Sequence, residues 1–258
     1  MVAARAMRLR SAPTAHRDST VCVFAAALDV PDRERDRLAA LLSSDEIARA
    51  GRLRFDRDCR RFIVARGVLR TILGEYLGVS PRSIRFRYEP GGKPGLAARR
   101  QGTTTSHARH SLTFNLSHAG DLALVAVGWR CRIGVDIEQA LLEFDTSDLE
   151  QHCLAPSEIA TLSVMGTAAR RRAFFQCWTR KESYLKGVGT GIAIPLDAIA
   201  IEPRSDVGGG LRVVGADSAG WQVHDLAAPP GYVAAIAVDT SRPVISCSWS
   251  NWSTGSRG

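Results

Sequence analysis

The order of patterns along this chain constrains its fold more than any single motif does. A strand pattern, a helix cluster, several strands, a second helix cluster and a last group of strands follow one another. That order argues for an α+β fold. VCVFAAALDV (21–30) reads as the opening strand, and Pro31 begins a polar helix. Ser43-x-x-Glu46 is a capping-box pattern that announces the next helix, because each side chain can satisfy the other's free backbone N–H. From Asp56 to Leu77 the apolar positions Phe62, Ala65, Leu69, Leu73 and Tyr76 keep helical spacing, and Gly78 ends the run. Ile84, Phe86 and Tyr88 then alternate as a strand does.

Residues 97–111, ending in QGTTTSHARHS, read as an exposed loop. They divide the chain into an N-terminal half, 19–111, and a C-terminal half, 112–248, with a disordered basic extension at 1–18 and a mobile tail at 249–258. Beyond the loop come three short strands, Leu112–Leu116, Leu122–Val127 and Ile133–Ile137. Helices fill roughly 147–187, and the last begins near Thr167, carries Phe174, Trp178 and Leu185 on one apolar stripe and ends at Gly187. Strand patterns return over 196–239, with Gly208-Gly209-Gly210 as a hairpin.

No apolar run approaches the ~20 residues that span a bilayer. The first 17 residues hold four arginines and no acid but lack the apolar core of a secretory signal, which leaves a loose basic extension or, with similar composition, an organelle transit peptide. Those arginines supply half of the net charge of +8. The remainder fits an anionic ligand or an acidic partner and is weak support for nucleic acid. The six cysteines form no C-x-x-C pair and no metal-ligand spacing, so they read as buried thiols of a reducing cytosol.

Only three of the 34 basic residues are lysine, namely Lys93, Lys181 and Lys186. Arginine serves most solvated roles equally well, so a surviving lysine points to a place that wants a compact, strongly hydrated charge, such as a phosphate oxygen. Asp136 and Glu138 end the strand pattern IGVDIE. Period-two geometry puts both carboxylates on one face about 6–7 Å apart, where they repel by roughly 2–3 kcal/mol at an effective dielectric near 20. By itself such a pair is more often a solvated strand end. Glu182 stands one helical turn before Lys186 and next to Lys181. As a helix pair alone, Glu182 and Lys186 are worth only ~0.2–0.5 kcal/mol. Three carboxylates on two elements, with rare lysines beside them, match what Mg²⁺ and a diphosphate require. FNLSHAG (114–120) places Asn115, Ser117 and His118 in a turn after a strand, and Gly91-Gly92-Lys93-Pro94 makes another tight turn. Arg49, Arg52, Arg54, Arg60, Arg61 and Arg66 crowd the first-half helices, as solvated faces often do.

GGKP, FNLSHAG, IGVDIE, FFQCWTRKESYLKGVGTGI and PPGY (229–232) together resemble the 4′-phosphopantetheinyl transferases, of the long surfactin-synthetase-activating type rather than the short acyl-carrier-protein synthase type. The likeness runs over about residues 43–239, and the D-x-E plus W-x-x-K-E-x-x-x-K combination is its specific part. The resemblance implies two similar α+β halves packed as a pseudo-dimer, with coenzyme A in the cleft between them. It implies an enzyme that transfers the phosphopantetheine arm to a serine of an apo acyl or peptidyl carrier protein; both halves of the site in one chain point to a monomer, and the cysteines to a cytoplasmic one. Carried over by position, Asp136, Glu138 and Glu182 would hold Mg²⁺, and Lys93, Ser117, His118 and Lys186 would contact coenzyme A phosphates. Arg49 and Arg52 are shifted candidates for the nucleotide. Glu182 would be the general base, Lys186 the fixed positive charge and Asp136 the third catalytic member. Two rival classes stay open: a Mg²⁺-dependent phosphoesterase acting on a nucleotide, and a non-catalytic basic module for nucleic acid. The aromatics are few and not interleaved with the arginines, which disfavours the second.

Overall fold

The computed structural model describes residues 20–88, 92–97, 112–140, 145–189, 194–203, 210–215, 220–240 and 243–249. The basic extension, the loop after Ala97, the Gly208-Gly209 turn and the tail past Trp249 lie outside the described residues. The first half runs β1 (Thr20–Ala27), α1 (Asp32–Ala39), α2 (Ser44–Ala50), α3 (Asp56–Leu77), β2 (Phe86–Tyr88), β3 (Pro94–Leu96), β4 (Leu112–Ala119) and β5 (Leu122–Trp129). The second runs β6 (Ile133–Gln139), α4 (Ser147–Cys153), α5 (Pro156–Ser163), α6 (Thr167–Val188), β7 (Ile199–Pro203), β8 (Leu211–Gly215), β9 (Gln222–Leu226) and β10 (Tyr232–Val238). A final strand, β11 (Val244–Trp249), returns to pair in parallel with β1.

The two halves share one plan. Each opens with a strand, passes through a 22-residue helix, and closes with a hairpin whose second strand pairs antiparallel with the opening one: β1–β5–β4 and β6–β10–β9. The sheet orders are β11-β1-β5-β4 and β6-β10-β9-β8-β7. This moves the expected boundary. β4 and β5 belong to the first sheet, so the second half starts at Ile133 and not at residue 112. A long polar loop looks like a linker in sequence, yet here it falls inside one half. The tail expectation shifts too, because β11 anchors residues up to Trp249.

Strand alternation builds the layers. On and just after β1, and on β5, Ala26, Leu28, Val125 and Val127 face α3, meeting Val68, Leu69, Ile72 and Leu73. Val21, Val23, Leu124 and Ala126 point the other way, onto Ile133, Val135, Ile137, Ala234 and Ile236 of the second sheet. The opposite face of that sheet takes Tyr184 and Leu185 of α6 against Ala235, Ala237 and Val223. The order of layers is therefore helix, sheet, sheet, helix. Gly78, at φ 60°, ends α3 in the left-handed conformation a glycine adopts without cost. Among the described residues, no helix is long and apolar enough to cross a membrane.

Two charged groups expected at surfaces or at ligands are internal struts. Glu46 is 1% exposed and accepts from Ser43 N–H at 3.0 Å, Arg66 Nε at 2.6 Å and Arg70 Nε at 2.6 Å. Arg66 and Arg70 also lie over the Phe86 ring, so Arg66 is no part of a solvated face. Lys181 is fully buried. Its ammonium pairs with Glu158 Oε2 at 2.6 Å and donates to the carbonyls of Cys153 at 2.8 Å and Leu196 at 2.9 Å. Glu158 in turn accepts from the N–H groups of Ala155 and Ile201. This joins α4, α5, α6 and β7, and it removes Lys181 from the phosphate-binding role its rarity suggested.

Breaking a buried pair leaves an uncompensated charge. Lys181→Met should therefore destabilise the fold by roughly 3–5 kcal/mol, read as a lower urea midpoint. A midpoint unchanged from the parent chain would show that Glu158 is not held by Lys181 alone.

Candidate active site

The site rests on one close approach between backbone segments. A Cβ on Gly134 would overlap the Ser183 carbonyl oxygen and the Gly187 nitrogen, and one on Gly187 would lie 2.5 Å from the Trp221 ring. Two glycines thus let strand β6 and helix α6 touch with no side chain between them. Asp136 and Glu138 share the parity of Gly134, so both carboxylates rise on the face that meets the helix. Along α6, Trp178, Glu182 and Lys186 recur every four residues and share one face. The strand and helix patterns therefore interlock into a short polar row.

Asp136 is 1% exposed. Its Oδ1 accepts from Ser117 Oγ at 2.7 Å and from the Lys186 ammonium, while its Oδ2 is buried with no hydrogen-bond partner. Lys186 Nζ also donates to Ser117 Oγ at 3.0 Å. Burial is the main force raising the Asp136 carboxyl pKa, with Lys186 and Ser117 pulling the other way. Glu138 is pushed up to about 7, first by burial and then by the Asp136 charge. Lys186 and a hydrogen bond from the Trp178 indole oppose that rise. Burial raises Glu182 as well, with Lys186 counteracting and Asp136 adding to the shift. Burial thus disfavours the charge of all three carboxyls, neighbouring carboxylates add to the rise of Glu138 and Glu182, and a single lysine stands among them.

Oxygen donors of this kind suit a hard divalent cation. The unpartnered Asp136 oxygen and the three raised carboxyls fit one. Among the described residues no three histidine, cysteine or carboxylate groups stand together so that they could hold a metal ion. The Lys186 ammonium supplies the positive charge there instead.

The first half contributes through β4. Leu112 and Phe114 face its core, with Leu116 packed against it, while Thr113, Asn115 and Ser117 alternate toward β6. Asn115 Oδ1 accepts from the Val135 N–H at 2.9 Å, and Thr113 Oγ1 donates to the Cys131 carbonyl at 2.6 Å. The edges of the two sheets are therefore joined by polar side chains, not by a backbone ladder. FNLSHAG was expected to place Ser117 and His118 together in a turn, but both lie within β4 and point to opposite faces. His118 turns toward the start of α3. Desolvation by the surrounding protein lowers its pKa first, then the charges of Lys186 and Arg61.

The remaining expected residues stand apart. Lys93 donates to the carbonyls of Lys186, of Gly187 at 3.2 Å and of Ile133 at 3.4 Å, so its ammonium is engaged by backbone. Arg49 lies over the rings of Phe62 and Tyr88, and Arg52 is exposed in the turn after α2. Sequence reasoning named Asn115 and Trp178 but not their roles, putting the first in a turn and the second on an apolar stripe. The polar–apolar alternation of LTFNLS signalled the first, and the i, i+4 spacing of Trp178 from Glu182 signalled the second.

Two outcomes follow from this geometry. Gly134→Ala forces a methyl into α6 and should cost roughly 1–3 kcal/mol, measured by denaturant unfolding; full stability would disprove the contact. Unfolded, Glu138 loses its proton near 4.5, whereas folded it keeps it up to about 7. Its burial therefore costs nothing at low pH, and the cost grows as pH rises through that window. In metal-free buffer, unfolding free energy should fall from pH 4.5 to pH 7. Glu138→Gln should flatten the slope, and equal slopes in both proteins would refute the assignment.

Residues 31–129 match the model of the 4′-phosphopantetheinyl transferase N-terminal domain, and residues 132–237 match that of the 4′-phosphopantetheinyl transferase superfamily. The break between the two matches falls where the structure divides its halves. The chain is 40% identical to the 4′-phosphopantetheinyl transferase HetI of Nostoc sp., over 82% of this chain and 84% of that protein. It is 27% identical to a 4′-phosphopantetheinyl transferase of Bacillus subtilis, over 67% of this chain and 71% of that one. A human L-aminoadipate-semialdehyde dehydrogenase-phosphopantetheinyl transferase is 26% identical over 69% of this chain and 59% of its own length. Among solved structures, a holo-(acyl-carrier-protein) synthase from Bacillus anthracis aligns with a TM-score of 0.34 at 23% identity, over 41% of this chain and 92% of that one, a likeness too loose to add to the assignment. Both halves of the molecule match models of the same family and most of the chain aligns with one of its members, so this chain belongs to the 4′-phosphopantetheinyl transferase superfamily.

Proposed function

We propose that this chain transfers the 4′-phosphopantetheine arm of coenzyme A to a serine hydroxyl of an apo acyl or peptidyl carrier protein, using the cleft where β4, β6 and α6 meet. The observation that carries this reading is Asp136: buried, held on one oxygen by Ser117 and Lys186, and unpartnered on the other. Serine and carboxylate come from different halves, so one chain supplies the whole site and a monomer suffices. Six free thiols are consistent with a reducing cytosol.

The serine oxygen of the carrier attacks the β-phosphorus of coenzyme A. A new P–O bond forms as the bond to the bridging diphosphate oxygen breaks, and adenosine 3′,5′-bisphosphate departs. Such a reaction demands positioning and neutralisation of charge on the phosphoryl oxygens. Asp136, Glu138 and Glu182 are the residues that would hold Mg²⁺, which when bound supplies Lewis acidity to the diphosphate. Lys186, standing between Ser117 and Asp136, places a fixed positive charge at the reacting centre. Glu182 accepts the proton of the attacking hydroxyl. The ring of His118 offers a neutral donor to phosphate oxygens, and Ser117 would do so on giving up its hydrogen bond to Asp136. Arg49 and Arg52, exposed on the first half, would meet the nucleotide's outer phosphate.

Glu182→Gln should slow transfer by about 10²–10⁴-fold while coenzyme A binding stays measurable by calorimetry; near-wild-type turnover would remove Glu182 from the mechanism. The reading as a whole is tested by intact mass spectrometry of an apo-carrier incubated with the protein, coenzyme A and Mg²⁺. A gain of one phosphopantetheine arm, lost with EDTA, is expected. Hydrolysed coenzyme A without carrier modification would make the protein a phosphoesterase instead.

A further inference from the structure

Lys93 belongs to the first half but spends its charge on the second. Its ammonium meets the carbonyls of Lys186, Gly187 and Ile133. Two of the three are terminal carbonyls of α6, which find no partner within the helix because Gly189, at φ 86°, turns the chain away. A cation there also meets the negative end of the helix dipole. The third, Ile133, adjoins Gly134, the point where β6 touches the helix.

The base from which Lys93 reaches is fixed. Pro94 follows it directly and pairs with Tyr88 across the β2–β3 hairpin. The Tyr88 hydroxyl accepts from Arg66 at 3.2 Å, and Arg66 is locked on buried Glu46. A chain of contacts therefore runs from the core of the first half, through the hairpin, to the backbone carbonyl of Lys186 itself.

We propose that Lys93 is a positioning residue that acts through Lys186. It fixes the last turn of α6 and so sets where the Lys186 ammonium stands against Ser117 and Asp136. This rests on the reading above that Lys186 serves the transfer. A phosphate ligand and a positioning residue leave different traces: losing the first weakens coenzyme A binding, and losing the second slows the reaction of bound substrate.

The test uses the full chain with K93M, K93Q, K186A and the K93M/K186A double variant. Coenzyme A affinity is measured by calorimetry, and transfer to an apo-carrier is followed in single turnovers. For K93M the transfer rate should fall about tenfold or more, with the coenzyme A dissociation constant within about threefold of the parent. K93Q, which keeps neutral donors, should lie between. In the K186A background the K93M change should add no further loss, because both act at one point. Weakened coenzyme A binding with an unchanged transfer rate would overturn the proposal, and so would losses that multiply in the double variant. Should K93M melt below the assay temperature, K93Q and K93Q/K186A carry the same comparison. A K186A rate equal to the parent would instead refute the role given to Lys186, and with it the route claimed for Lys93.

Discussion

The contact between Gly134 and Gly187 is the constraint on which the rest of the site depends. Helices and strands ordinarily meet through side chains, which hold their backbones well apart. Here neither partner carries a Cβ at the crossing, so α6 lies directly on the edge strand of its sheet. Groups that would otherwise be separated by a packing layer come within hydrogen-bond reach. The row Trp178, Glu182, Lys186 on the helix meets the row Glu138, Asp136 on the strand, and the register is fixed where the two backbones touch.

That closeness creates an electrostatic problem which the chain leaves partly unsolved. Three carboxyls are raised by burial, and two of them are raised further by neighbouring carboxylates. Lys186 offsets only part of this, and one buried oxygen of Asp136 finds no donor. A buried unmet polar atom costs about 1–3 kcal/mol, and functional sites are where such costs persist. The frustration is of the kind that a bound cation and an anionic substrate relieve together.

The three lysines share a physical logic, although only one sits in the carboxylate cluster. Lys181 binds a carboxylate and two carbonyls, Lys93 three carbonyls, and Lys186 a hydroxyl and a carboxylate. Each is a small oxygen nest approached from one direction, which a point-like ammonium fills and a planar guanidinium does not. Lysine rarity thus marked real constraints. It could not say whether the oxygens belonged to ligand or to protein, because both present the same chemistry to an ammonium.

Much of this molecule was legible along the chain. Helix α3 could be bounded by Asp56 and the left-handed Gly78, the Ser43–Glu46 cap by its spacing, and the pairing of Asp136 with Glu138 on one face by strand parity, because each depends on neighbours within a few residues. The alternation in LTFNLS also held the polar seam of β4, though a short motif ending in His and Gly reads more easily as a turn. What lay beyond reach was every decision made between distant segments: that β4 and β5 complete the first sheet, that β11 returns to β1, that Lys181 is buried on Glu158, and that Lys93 caps the helix bearing Lys186. Local rules fix which groups a segment offers and on which face. Which groups meet is settled by how two sheets and two long helices bury their apolar faces, and that balance exists only in three dimensions.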